Sequence, residues 1–145
     1  MSQPKPLSNP LLACVLAAST FLSPQVFAAS GVSVETVKGA TTISAKEAKV
    51  LWLQGAAFID TRKTADWDAG RVPGALHISV KKPEFNPEYI AQFVAKDQPV
   101  VSYCNAQLCH RAASGAKKLV EFGYTQVYYF RLGFPSWKNA NYPYE

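Results

Sequence analysis

Short apolar runs alternate with stretches of helical spacing along this chain, and that alternation limits its fold more than any other feature. Val100-Val101-Ser102-Tyr103 is mostly apolar on both faces, the composition of a strand covered on both sides of a sheet. Residues 56–60, 76–80 and 126–130 are further strand-like runs. Between them, Ser44-Ala45-Lys46-Glu47 is a capping box, and the helix it opens carries Ala48, Leu51 and Trp52 on one face until Gly55. Residues 66–70 read as a helical turn closed by glycine. Asn86-Pro87-Glu88 starts a helix with Ile90, Phe93 and Val94 as its buried face. Ala112, Ala113, Ala116, Leu119 and Val120 recur at helical spacing until Gly123, and Gly133-Phe134-Pro135-Ser136-Trp137 opens a terminal helix. Strands alternating with helices predict an α/β domain with a mainly parallel sheet flanked by helices.

In such sheets reactive groups collect beyond the carboxyl ends of the strands. Cys104 and Asp60 both fall there, each following or closing an apolar run. Cys104 leads through Asn105, Ala106, Gln107, Leu108, Cys109 and His110 to Arg111, where the helical pattern begins. Unpaired N–H groups and the positive end of a helix dipole favour an anion at that position, and Arg111 adds a full charge. These influences lower a thiol's pKa below its free value near 8.5 and make it a nucleophile at neutral pH. Cys104 is therefore the expected attacking atom. His77 reads as a strand residue with a satisfied ring nitrogen rather than a catalytic base.

The N-terminus sets the compartment. Residues 11–22 are mostly apolar, residues 1–10 are polar around Lys5, and Val26-Phe27-Ala28-Ala29 offers small residues for cleavage. This is the pattern of a secretory signal peptide over residues 1–28, cut after Ala28, and its apolar core is shorter than the ~20 residues a membrane span needs. Export to a periplasmic or extracellular space is expected, without stable membrane insertion after cleavage. Leu11-Leu12-Ala13-Cys14 also offers a lipidation site at Cys14, but the apolar core runs on past it. Residues 29–42, rich in small and β-branched types, read as a flexible lead-in with room for a short strand, and residues 43–145 as the one folded domain. Loss of Lys5 with the leader lowers the formal charge from +5 to +4. The cations are scattered, which points to a basic surface compatible with small anionic substrates and not to nucleic-acid binding. The leader-free chain keeps Cys104 and Cys109. A bridge between them closes a tiny loop and gains little chain entropy, so chemistry explains the pair better than stapling.

The residues also resemble a known family, the rhodanese-like domains. Phe58-Ile59-Asp60-Thr61-Arg62, followed by Asp66-Trp67-Asp68-Ala69-Gly70-Arg71-Val72-Pro73-Gly74-Ala75-Leu76-His77-Ile78, resembles the family's first signature. Val101-Ser102-Tyr103-Cys104 resembles its nucleophile strand, and residues 127–137 its closing strand and Gly–Trp segment. Two departures stand out. Arg71 replaces the usual histidine, and six residues separate Cys104 from Arg111 where four or five are usual. The usual loop glycine is missing as well; Asn105 tolerates left-handed geometry better than most residues.

The resemblance implies a sulfurtransferase. Cys104 takes the outer sulfur of a donor such as thiosulfate as a persulfide, and a thiol or cyanide acceptor removes it, with no cofactor and no metal. Residues Asn105, Ala106, Gln107, Leu108, Cys109, His110 and Arg111 then cradle the anion, with Asp60 and Arg62 bracing the loop; a surface ion pair is the plainer reading of Arg62. A second reading is thiol redox or oxyanion reduction in which Cys109 acts as a resolving thiol for Cys104, its plain alternative being a small apolar residue packed under the loop. A metal site of Cys104, Cys109 and His110 matches no defensible zinc spacing. A non-catalytic binding module would not need a thiol at the strand end.

Overall fold

The computed structural model describes residues 31–145. The expected leader, its cleavage site and Cys14 lie outside the described residues. Five strands form one sheet: β1 (Ala40–Thr42), β2 (Ala57–Asp60), β3 (Leu76–His77), β4 (Val100–Tyr103) and β5 (Val127–Phe130). Their spatial order is β1-β5-β4-β2-β3 and every neighbouring pair is parallel. The helices are α1 (Ala45–Leu53), α2 (Thr64–Asp68), α3 (Pro87–Ile90), α4 (Arg111–Glu121) and α5 (Gly133–Asn139). Among the described residues no helix is long and apolar enough to cross a membrane.

Strand pleating divides the core. Val100 and Tyr129 point to the face packed by α4, with Ile59, Ile90, Ala112, Ala116 and Leu119. Val101, Tyr103, Phe58 and Phe130 point to the other, where Ala48 and Trp137 cover them from α1 and α5. Trp137 meets Trp52 and Phe58 at edge-on ring distances of 6.0 Å each, which locks α5 onto α1 and the sheet.

The capping box forms as the sequence predicts: the Glu47 amide donates to Ser44 Oγ, and Glu47 Oε2 accepts from the Ser44 amide at 2.8 Å. Asn86 caps α3 by accepting from the Tyr89 amide at 2.8 Å. Three expectations need correction. The run 76–80 pairs only as far as His77, because its one neighbour β2 ends at Asp60. The helix beginning at Asn86 closes after Ile90, so Phe93 is 49% exposed and packs on Tyr89, while Ile90 and Val94 are buried. The lead-in is tied down from Ser33 onward: Ser33 is buried, and its carbonyl accepts from Arg131 Nη2 at 2.8 Å.

Helix α4 lies unusually close to the sheet at Gly115. A Cβ there would stand 2.6 Å from Ser102 Oγ and 2.9 Å from Thr61 Cγ2. Ser102 itself donates to the Ala112 carbonyl at 2.9 Å, which satisfies its buried hydroxyl. In an open helix Gly→Ala gains up to about 1 kcal/mol. Here Gly115→Ala is expected to lose about 2 kcal/mol, because the added methyl overpacks a hydrogen-bonded contact. Urea denaturation checks the sign.

Candidate active site

The carboxyl ends of β2 and β4 meet at the site, since Asp60 pairs with Tyr103 in register. Cys104 follows β4 directly and has no exposed surface. Its carbonyl accepts from the Phe134 amide at 2.9 Å. The neighbouring Gly133 has φ +55°, and a Cβ on it would lie 2.0 Å from the Cys104 carbonyl oxygen. Only glycine lets the start of α5 press on the base of the loop so closely.

The loop then folds back on itself. Ala106 takes the left-handed conformation at φ +56°, and the Cys109 amide donates to its carbonyl at 3.1 Å. This corrects the expectation for Asn105, whose side chain is held elsewhere: Asn105 Oδ1 accepts from Arg62 Nη1 at 3.3 Å. The Ser33 amide donates to the Gln107 carbonyl at 2.6 Å, so the chain Arg131–Ser33–Gln107 ties the end of β5 to the loop. Leu108 stands at the tip, 71% exposed. The return brings Cys109 beside Cys104, and the two form a disulfide with Cα atoms 6.2 Å apart. Cys104 is the expected attacking atom; in this state its Sγ is bonded and buried, and Cys109 is the partly exposed member of the pair.

The loop leaves several of its amides without a protein acceptor. Among the described residues, the amides of Asn105, Ala106, Gln107, Leu108 and His110 donate no hydrogen bond within the protein. His110 occupies the N-cap position of α4 without capping it through its side chain, so the first turn of that helix keeps free N–H groups. A cleft of about 470 Å³ opens beside the loop, lined by Cys109, His110 and Arg111 and by Lys63, Lys81 and Asp66. Three full positive charges face one negative there.

Asp60 and Arg62 form a buried pair beneath the loop. Arg62 is 2% exposed, which removes the surface ion-pair reading. Its Nε donates to Asp60 Oδ1 at 2.9 Å and its Nη2 to the Gly70 carbonyl at 2.7 Å. Burial works against the charge, but the hydrogen bonds and charge of Asp60 outweigh it, and the Arg62 pKa lies above its ordinary value. The guanidinium also lies over the Phe134 ring at 4.6 Å. Tyr103, below it, is held neutral by burial and by the Asp60 carboxylate, and its oxygen accepts from the Val72 amide at 3.3 Å. His77 stacks on Trp67 at 4.8 Å, with Nε2 3.2 Å from the Arg62 carbonyl, so it is satisfied as expected. Arg71 turns away from the loop to pair with Glu145 and cover Trp67. Ser33, Arg131 and Gly133 join the site through tertiary contacts that no sequence pattern marks. Gly133 was readable only as a helix start.

A family model described as the rhodanese-like domain matches residues 44–140. The chain belongs to the rhodanese-like domain family. Solved structures agree on the fold of this rhodanese-like domain. A Bacillus halodurans protein superimposes with a TM-score of 0.64 at 19% identity, covering 73% of this chain and 77% of its own. The polysulfide-sulfur transferase homodimer of Wolinella succinogenes gives 0.60 at 22% identity, covering 74% and 79%. The human single-domain sulfurtransferase gives 0.58 at 24% identity, covering 69% and 96%. At these identities the likeness is one of fold, a parallel α/β sheet flanked by helices.

Proposed function

We propose that this rhodanese-like domain is an exported sulfurtransferase that carries sulfane sulfur on Cys104. The observation that supports it most is the placement of that sulfur: at the end of the central strand β4, below a loop of unpaired amides and beside a cationic cleft. With the disulfide reduced, the Cys104 thiolate attacks the outer sulfur of a donor such as thiosulfate. A new S–S bond forms to Cys104, the donor's S–S bond breaks, and sulfite leaves with the bonding pair. The loop amides and the start of α4 hold the donor's anionic end and the persulfide anion. Arg111 orients the donor, and Lys63 and Lys81 draw it into the cleft. A thiol or cyanide then takes the outer sulfur and restores the thiolate.

A disulfide in the loop has no free nucleophile, so thiosulfate-to-cyanide transfer should depend on reduction. Protein treated with a dithiol, freed of it and mixed with thiosulfate and excess cyanide is expected to show an initial rate at least about 10²-fold that of oxidised protein. Equal rates in the two states would remove the Cys104 assignment. Export rests on the leader pattern, and an oxidising compartment suits a formed disulfide. N-terminal mass spectrometry of protein recovered from the exporting cell should show a chain beginning at Ala29.

The same disulfide favours a second reading, thiol–disulfide exchange with external dithiols and no sulfur donor at all. It predicts insulin-reductase-type turnover without thiosulfate, which the sulfurtransferase reading does not.

A further inference from the structure

We propose that Cys109 discharges the sulfur held on Cys104 as hydrosulfide, and that the Cys104–Cys109 disulfide is the product of this step. The inference rests on the sulfur-transfer reading and gives that site a reductive outcome. Transfer to an external acceptor needs one thiol, but the loop folds so that two sulfurs meet. The left-handed Ala106 and the Cys109-to-Ala106 hydrogen bond carry Cys109 back over the strand end, to a Cα separation of 6.2 Å from Cys104.

The position of the bond decides which sulfur is attacked. In a Cys104 persulfide the inner sulfur is Cys104 Sγ, the atom to which Cys109 Sγ is joined. Attack there forms the Sγ–Sγ bond, breaks the bond to the outer sulfur, and expels that sulfur with the electron pair. The Cys109 thiol proton leaves with it, so a persulfide anion and a thiol give a disulfide and hydrosulfide. The sulfane sulfur is reduced by two electrons and the cysteine pair is oxidised by two. An external dithiol must then reopen the bond. Cys104 has no exposed surface and Cys109 is partly exposed, so the incoming thiolate attacks Cys109 and Cys104 leaves as the thiolate among the loop amides. The net reaction takes thiosulfate and a dithiol to sulfite, hydrosulfide, a proton and the dithiol's disulfide. The partner this defines is a dithiol reductant, of protein or small-molecule class.

A single-turnover experiment on the full chain tests it. Protein is reduced, freed of reductant without air, and mixed with equimolar thiosulfate or inorganic polysulfide and no acceptor. The tryptic peptide spanning residues 97–111 contains both loop cysteines and excludes Cys14, and it is read by mass spectrometry alongside hydrosulfide. Wild type is expected to release about one equivalent of hydrosulfide and yield a peptide lacking two hydrogens. Cys109→Ser is expected to hold one extra sulfur and release less than about a tenth as much hydrosulfide. Wild type that keeps the extra sulfur, or a variant that releases hydrosulfide as fully as wild type, overturns the proposal. If neither protein gains sulfur from either donor, the sulfur-transfer reading itself fails and takes this one with it.

Discussion

Replacing Cys104 by serine is expected to lower thiosulfate-to-cyanide transfer by reduced protein at least about 10³-fold, the scale on which loss of a catalytic nucleophile is felt. Serine preserves the size of the side chain and its place at the end of β4. It does not preserve an ionisable sulfur, and the loop amides have no anion to hold. The substitution also removes the disulfide, a loss worth about 2 kcal/mol for a loop this short. Cys109→Ser removes the same bridge while keeping the nucleophile, so it separates the two effects. Its transfer to cyanide should fall less than about tenfold in the same assay. Thermal melts of both variants check that the fold is retained. Equal losses in the two would mean that transfer needs both thiols, and that Cys104 is not singled out as the nucleophile.

Arg62→Met is expected to cost about 3–5 kcal/mol of stability, the penalty for stranding one member of a buried ion pair. Asp60 has no exposed surface, and Arg62 supplies it with three hydrogen-bond contacts of 2.5–3.0 Å from the guanidinium. Methionine fills much of the guanidinium's volume, so the loss is electrostatic more than steric. Arg62 also joins Gly70 and Asn105, which means its removal loosens the α2 end and the first loop residue together. The double variant Asp60→Asn/Arg62→Met should regain at least about 2 kcal/mol over the single one, since no buried charge is left alone. Denaturant midpoints measure both. A single variant within about 0.5 kcal/mol of wild type, the range of ordinary surface changes, would show the pair to be dispensable.

Local chemistry is what the sequence made legible. Ser44–Glu47 and Asn86 announce helix starts because their side chains satisfy orphan amides a few residues away. The apolar runs at β2, β4 and β5 read correctly because central parallel strands are buried on both faces. Cys104 and Asp60 come together because parallel register brings their strand ends side by side. What could not be read depends on distant partners. Phe93 has the right spacing for a buried face, yet α3 ends before reaching it. Asn105 has the better intrinsic tolerance for left-handed geometry, but its hydrogen bond to Arg62 hands that conformation to Ala106. Gly133 looks like punctuation before a helix, and its need for a bare Cα arises only from the Cys104 carbonyl that α5 meets. Ser33 lies in a stretch with no pattern at all, and only tertiary contacts with Arg131 and Gln107 give it a place.

On the proposed route, sulfur rests on Cys104 between donor and acceptor. Quantifying sulfite when reduced protein meets thiosulfate with no acceptor present tests it directly. A rapid burst of about one equivalent of sulfite per protein is expected, absent in Cys104→Ser, before any cyanide or thiol is added. Sulfite that appears only after an acceptor is supplied would contradict it, because the sulfur would then pass straight from donor to acceptor without ever being bound to the enzyme.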